Sequence, residues 1–520
     1  MSRFYVTTPI YYVNDAPHIG HAYTTLACDV LARFMRSDGH DVRFLTGTDE
    51  HGQKVEKAAA AKGIDPQSFT DEISQNFRHL ADFMNFSYDD FIRTTEPRHI
   101  TSCQAIWKAI ADRKSPQGRN NIYLDKYAGW YAVRDEAFYT EAELEDGPGG
   151  KKIGPTGAEV EWVEEPSYFF RLSDWQNALL EFYDANPDFI APTSRRNEVI
   201  NFVKGGLNDL SISRTTFSWG VPVPGDEDHI MYVWLDALTN YITAVCYPNK
   251  EDQLWEYWPA NLHMVGKDIL RFHAVYWPAF LMAAGLEPPQ RVFAHGWWTN
   301  EGQKISKSVG NVIDPIELVE RYGLDPIRYF LLRQVPFGND GDFSHQAMVH
   351  RLNGDLANDL GNLCQRVMSM VFKNCDGKIP ESHALQESDI KFVSAISESI
   401  KELRQLMAAQ SFNQALELIW RHVAEANRYV DEQAPWALRK TDPPRMETVL
   451  YTLTEAIRNL AILTTPFMPQ SMAMVFDQLS VPKNHRDIAH LGLEYAVDSG
   501  AALPGKPAPV FPRFVDDEEE

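Results

Sequence analysis

The first 84 residues alternate between strand and helix periodicities, and that alternation limits the fold more than any other feature of the chain. Residues 3–13, RFYVTTPIYYV, mix aromatic, aliphatic and Thr side chains in a strand pattern. Residues 18–36 read as a helix ending near Gly39, and DVRFLTGTDEHG follows as a second strand with a polar exit. QKVEKAAAAKG is a short helix stopped by glycine, and QSFTDEISQNFRHLADFM is another. Strand, helix, strand, helix at this spacing predicts an open α/β sheet, with working residues at the carboxyl ends of its strands.

Beyond this start the pattern changes twice. From residue 115 the chain is rich in Tyr, Trp and glycine turns, as in NIYLDKYAGWYAVRDEAFYT, which predicts a small β-rich insertion. The α/β theme returns in HIMYVWLDALTNYI and NLHMVGKDILRFHAVYWPAFLMAAG. From 346 apolar residues recur every three to four positions, the mark of a helical bundle. The expected organisation is a Rossmann-like catalytic domain in two halves, 1–114 and 205–290, split by a connective insert at 115–204. A region at 291–345, a helical domain at 346–490 and a tail at 491–520 follow. PAPVFPRF is expected to fold back on the body, and the acidic end VDDEEE to be disordered.

Composition then excludes whole classes. A chain of 520 residues with 44% apolar and 12% aromatic side chains can build several cores. It has no run of 18 apolar residues, so no membrane span is expected. Its net charge of −23 argues against a general nucleic-acid coat, although a local basic face still allows a nucleic-acid partner. Five cysteines at 28, 103, 246, 364 and 375 form no C-x-x-C and suit a reducing cytosol. No secretory or transit signal precedes the first strand, so a bacterial cytoplasmic location is expected.

Five stretches carry chemistry. Pro17-His18-Ile19-Gly20-His21 stands where a strand hands over to a helix. Free backbone N–H groups there favour a phosphate, and two imidazoles three apart add donors; a cap with ordinary histidines is the plain alternative. Asp49, Glu50 and His51 follow the second strand, where a carboxylate can take an ammonium group or simply line a solvated turn. Lys304 and Lys307, within Gly302-Gln303-Lys304-Ile305-Ser306-Lys307-Ser308, can close on phosphates or form an exposed basic turn. Trp234, Ala237 and Tyr241 share a helical face, and Phe272, His273, Tyr276 and Trp277 form a second aromatic patch. Packing and a ligand pocket need the same material, so periodicity does not choose. Trp436 follows Pro435 near a helix end, and Asn362 and Arg366 lie four apart on an earlier helix. These can stack on or read bases, or be structural.

Taken together, HIGH at 18–21 and KISKS at 304–308 resemble the two signatures of the class I aminoacyl-tRNA synthetases. TTPIYYVNDAPHIGHAYT, FLTGTDEHG, YVWLDALTNY, GKDILRFHAVYWPA and NRYVDEQAPW are similar to the methionyl family, over roughly residues 3–480. The resemblance implies ATP, with Mg2+, held by His18, Gly20, His21, Asp268, Lys304 and Lys307, with the two histidines and two lysines catalytic. It implies a methionine site of Ile10, Tyr12, Asp49, Arg214, Trp234, Ala237, Tyr241, Phe272, His273 and Trp277. Asn362, Arg366 and Trp436 would read the anticodon of tRNA(Met).

One departure stands out. Ala132, Asp135 and Gly154 occupy positions where zinc-bearing members carry knuckle cysteines, and no cysteine lies between 103 and 246. A bacterial type without structural zinc is therefore expected. The large editing insertion of the isoleucine, valine and leucine enzymes is missing, as is a C-terminal dimerising extension, so a monomer is expected. Two rivals remain: a nucleotidyl transferase for another small carboxylate, which leaves the helical domain idle, and a non-catalytic tRNA-binding homologue, which leaves intact HIGH, Asp49 and KISKS unexplained.

Overall fold

The computed structural model describes residues 2–13, 16–135, 137–139, 141–304 and 312–515. They divide into two compact units. One holds Arg3–Pro17 and Val42–His295; the other holds His18–Asp41 and Gly296–Glu520 with the first two residues.

The first unit is built on a seven-stranded sheet. Its order runs Ile190–Ala191, Val292–His295, Leu262–Gly266, Arg3–Thr7, Asp41–Asp49, with Tyr11–Tyr12 and Asp90–Arg93 also paired to Asp41–Asp49. The registers Val6↔Leu262, Met264↔Phe293, Tyr11↔Thr48 and Gly47↔Ile92 are all parallel. The predicted strand over 3–13 is broken in two, at Thr7 and again before Tyr11. Pro9 lies in the gap, and a proline cannot donate to the ladder. Helices Pro97–Ala111, Val233–Thr243 and Trp277–Ala284 bury Ile106, Leu238 and Phe280 in one large core with Tyr5, Leu45 and Val265. Both faces of a parallel sheet must be covered, which is why its strands read as near-continuous apolar runs.

A second, antiparallel sheet is ordered Leu210–Ser211, Glu161–Phe170, Ile122–Ala132, Ala137–Tyr139, so it reaches past the expected boundary at 204, while Ile190–Ala191 inside that boundary joins the main sheet. Its long hairpin pairs Ile122 with Phe170 and Trp130 with Trp162. At its outer end Ala132, Ala158 and Val160 form a small core under Trp130, Tyr139 and Leu144.

The second unit joins the first helix of the chain, Ile19–Ser37, to the helical bundle. The predicted bundle is present as Asn362–Asn374, Glu387–Glu398, Ile400–Ala408, Phe412–Gln433, Pro443–Thr464 and Pro469–Gln478. Pro443–Thr464 runs through its middle with every residue from Thr448 to Thr464 buried, among them Glu455 and Arg458, which pair with each other at 2.7 Å. The run from His345 to Asn374 contains a π-helical stretch, Leu352–Gly361, that no periodicity announced. The C-terminal stretch does fold back: Asn353 exchanges two hydrogen bonds with the backbone of Phe514, and Gln478 does the same with Ala508.

The first helix is tied into this unit by charge. Asp29, fully buried, accepts from Arg328 at 2.7 Å and Arg33 at 2.8 Å. Arg328, equally buried, also donates to the carbonyls of Pro466 and Phe467. At the helix end Asp38 takes two N–H groups of Arg404. Removing one partner of a buried pair strands the other, at a cost of about 3–5 kcal/mol. Arg328→Met is therefore expected to lower unfolding free energy by about 3 kcal/mol in urea titration. The double variant Asp29→Asn/Arg328→Met should lose less than the sum of the two single changes.

Candidate active site

In the second unit His18 caps the Ile19–Ser37 helix in extended conformation. Its Nδ1 accepts from the Gly20 N–H at 3.1 Å, and the His18 N–H donates to Nδ1 of His21 at 3.0 Å. The two rings lie 3.9 Å apart. A side chain on Gly20 would put its Cβ 2.9 Å from Cε1 of His18, so glycine lets the ring fold back over the helix end. With both Nδ1 atoms accepting, each neutral ring carries its proton on Nε2. Burial and the neighbouring His18 push His21 well below the usual imidazole range, which keeps it neutral. The capping reading of this pair is what the geometry shows, and the cap fixes the tautomer with each proton on Nε2.

This helix start meets the flanks of the lysine loop. The Ile19 N–H donates to the Ile313 carbonyl at 3.3 Å. Tyr23 packs edge-on against Trp298 and Phe337. Trp298–Asn300 pairs antiparallel with Gln303–Lys304, with Thr299 opposite Lys304. Lys304 thus ends a strand. Its side chain, and Lys307 with the rest of 305–311, lie outside the described residues.

In the first unit the remaining candidates collect at the carboxyl ends of the sheet strands. Ile10 and Tyr12 follow the first strand, Asp49 ends the Asp41–Asp49 strand, and Asp268 follows Leu262–Gly266. Gly266 leaves room for the carboxylate of that residue, since a Cβ there would stand 2.5 Å from Oδ1 of Asp268. Trp234, Ala237 and Tyr241 line the Val233–Thr243 helix as spaced in the sequence. Phe272 and His273 sit on a π-helical turn, Phe272–Tyr276, that leads into Trp277. Trp234 stacks on Phe272 with centroids 3.5 Å apart, Tyr241 lies 6.1 Å from Trp277, and the Tyr241 hydroxyl is 2.7 Å from Nε2 of His273. The structure therefore brings the two aromatic patches into one wall. Arg214 is turned toward Ser211 and the Ser213 carbonyl, 3.7 Å from Glu165 and over the ring of Tyr232.

Asp49 stands on a braced corner. Glu50, with no exposed surface, takes both the Nε and Nη2 of Arg93 and the hydroxyls of Thr48 and Thr95. Trp219 Nε1 donates to the Glu50 carbonyl at 2.6 Å, and the Gly52 N–H donates to the Trp219 carbonyl. His51 is held by Asp236 at 2.7 Å. Sequence reading quoted Glu50, His51 and Asp236 without giving them work. The available signal was a carboxylate inside the apolar run VWLDAL, because buried carboxylates need partners.

In the bundle, Trp436 is 49% exposed and opens the helix Pro435–Thr441. Arg366, on Asn362–Asn374, places its guanidinium 5.8 Å from the Trp436 ring centroid and donates to Asp431. Asn362 is exposed at the start of that same helix.

Residues 4–368 match the family described as tRNA synthetases class I (M), and 379–520 match the anticodon binding domain of methionyl tRNA ligase. The chain belongs to the methionyl-tRNA synthetase family. A methionine--tRNA ligase of Mesorhizobium japonicum is 56% identical over 514 residues, 99% of this chain and 98% of that one. One from Rickettsia bellii is 56% identical over 516 residues, 99% of each chain. Among solved structures, a Mycobacterium tuberculosis methionyl-tRNA synthetase in complex with methionyl-adenylate superposes with a TM-score of 0.94 at 50% identity, covering 99% of this chain and all of the other. The Rossmann-like parallel sheet with its helical anticodon-binding region is the architecture of this synthetase family.

His273 gives the aromatic wall a pH signature. Burial holds it at about 4, against the Ile269 carbonyl on Nδ1 and the more distant Asp268, which both act upward. It is neutral at pH 7, with Nδ1–H donating to Ile269 and Nε2 accepting from Tyr241. A folded-state value below the free value of about 6.5 means stability is whole above that pH and is lost as pH falls toward 4. Between pH 7 and pH 5 this one group costs about 2 kcal/mol. In urea titrations at the two pH values, His273→Gln should show a pH-dependent loss smaller by about that amount.

Proposed function

We propose that this chain activates L-methionine with Mg–ATP to give methionyl-adenylate and pyrophosphate, then passes methionyl to the 3′-terminal adenosine of tRNA(Met). The observation that carries the substrate assignment is the uncharged wall of Trp234, Tyr241, Phe272, neutral His273 and Trp277, tied through Asp236 and His51 to the corner bearing Asp49. Such a site suits an amino acid with a long apolar side chain. Sulfur against aromatic rings adds about 0.3–1.5 kcal/mol, and Asp49 takes the ammonium. Ile10, Tyr12 and Ala237 fill out the slot, and Arg214 steadies its entrance strand.

Chemistry follows from charge. The methionine carboxylate is ionised at neutral pH and attacks the α-phosphorus directly, so no general base is needed. Rate then comes from alignment and from stabilising charge as it spreads onto the phosphates. Nε2–H groups of His18 and His21 donate to those oxygens, Gly20 lets the phosphate approach the helix start, and Lys304 and Lys307 add positive charge from the loop. Asp268 takes the ribose hydroxyls. Asn362, Arg366 and Trp436 read the anticodon, Trp436 by stacking.

On the same basis the catalytic body comprises 1–114 and 205–290 with the sheet strands Ile190–Ala191 and Val292–His295, a stem-contact region follows from 296 to 345, and the anticodon domain lies at 346–490. The insert is proposed to fold without zinc, and the chain to act as a cytoplasmic monomer. Among the described residues no helix is long and apolar enough to cross a membrane.

ATP–pyrophosphate exchange across the twenty amino acids should be driven by methionine alone. Exchange with another amino acid instead, or none at all, would refute the assignment. Homocysteine differs by one methyl group, worth about 1–3 kcal/mol in such a pocket, so weak activation is expected but stable homocysteinyl-tRNA is not. Base stacking is worth about 1–3 kcal/mol. Trp436→Ala should therefore lower kcat/KM for tRNA charging by about 5- to 150-fold, with the loss in the tRNA-dependent step rather than in exchange.

A further inference from the structure

We propose that Asp236 is a positioning residue for recognition of the amino group: through His51 it locks the corner that aims Asp49, an assignment that rests on the ammonium-binding role given to Asp49 above.

Asp236 lies on the Val233–Thr243 helix, between Trp234 and Ala237 in sequence, and has no exposed surface. Its Oδ2 is 2.7 Å from Nδ1 of His51, and its Oδ1 is 2.7 Å from Nε2 of His99 on the helix Pro97–Ala111. Nδ1 of His99 lies 3.2 Å from the Thr243 hydroxyl, whose single hydrogen goes to the Thr239 carbonyl at 3.0 Å. His99 is thus held at both ring nitrogens, by Thr243 and by the carboxylate, and directed bonds of this kind are the condition for keeping a carboxylate at zero exposure. His51 then completes the carboxylate with a second directed bond. Burial alone would raise the Asp236 carboxyl; the charges and hydrogen bonds of His51 and His99 outweigh it and hold the group well below the usual range.

The mechanical consequence lies in chain order. Asp49 is flanked by Thr48 and Glu50, which bond to each other, with Glu50 also taking Arg93, and then by His51, bonded to Asp236. Two anchors on either side leave the Asp49 backbone little freedom. One of them is the helix that carries Trp234, Ala237 and Tyr241. The polar end and the apolar end of the ligand site are thus set by one carboxylate. His99, Cys103 and Asp236 also place ligand-type atoms within 4.8 Å of one another, the one such group among the described residues. Each Asp236 oxygen already faces an imidazole nitrogen at 2.7 Å, and Cys103 Sγ lies 3.2 Å from Nε2 of His99, so the three groups are partnered with one another.

The test compares His51→Ala, His51→Asn, Asp236→Asn and Asp49→Asn in methionine-dependent ATP–pyrophosphate exchange. It also measures inhibition by 4-(methylthio)butanoate, which keeps the thioether and carboxylate but lacks the amine. His51→Ala is expected to raise the methionine KM about tenfold, with the ATP KM within about twofold and the inhibitor constant of the amine-free analogue unchanged. His51→Asn, whose amide N–H replaces Nδ1–H, should recover most of the loss, and Asp236→Asn should follow His51→Ala where it folds. Equal weakening of methionine and the analogue, a parallel rise in the ATP KM, no recovery in His51→Asn, or stoichiometric metal lost on Cys103→Ala would each overturn the proposal. Asp49→Asn separates the two layers. If it leaves the methionine KM unchanged, the ammonium assignment has failed. If it raises that KM while His51→Ala does not, the positioning role has failed.

Discussion

Charge taken out of water has to be met by charge or directed hydrogen bonds, and three of the fully buried carboxylates among the described residues organise what surrounds them on that condition. Asp29 is met by Arg328 and Arg33, Glu50 by Arg93 and two threonines, and Asp236 by two histidines. None is at a strand centre, where apolar packing suffices. Each joins elements that hydrophobic contact alone would let slide. An unpaired buried carboxylate costs several kcal/mol, so these pairs act more as constraints on geometry than as sources of net stability.

The three sit beside candidate functional groups for a physical reason. A positioned donor or acceptor is useful only to the extent that its backbone is fixed, and apolar packing tolerates small shifts that directed bonds do not. Asp29 fixes the helix whose first turn carries His18 and His21. Glu50 and His51 fix the corner that carries Asp49. The aromatic wall is handled differently: Tyr241 is pinned by its hydroxyl to His273, and His273 by its Nδ1–H to a carbonyl, so the rings keep their orientation without a charged group between them.

Much of this was readable from residue order. The strand–helix alternation gave the parallel sheet, the three-to-four spacing after 346 gave the bundle, and the aromatic spacing at 234, 237 and 241 gave a single helical face. What was not readable is tertiary in origin. Pro9 splits the first strand, which a pattern of alternating side chains does not resolve from a continuous one. Residues 272–276 and 352–361 are π-helical, and that choice is made by what the side chains must reach rather than by their local preference. Asp236 stood in plain view within VWLDAL, but its partners lie 137 and 185 positions away in sequence. A buried carboxylate announces that partners exist without saying which.

The same reasoning bears on the total charge of −23. Carboxylates consumed by internal partners contribute to the formal count but project little field, as with Asp29 and Glu50, each paired with an arginine within 3 Å. The net figure therefore overstates the repulsion an approaching polyanion meets. What matters at a binding face is the local arrangement, as at Trp436, where an exposed indole lies beside the Arg366 guanidinium. The π-face suits a stacked base, while the Arg366 guanidinium beside it is already paired with Asp431. An acidic chain can bind RNA in this way provided its unpaired negative charge is kept elsewhere, so the distribution of charge, and not its sum, decides whether the anticodon domain does the work proposed for it.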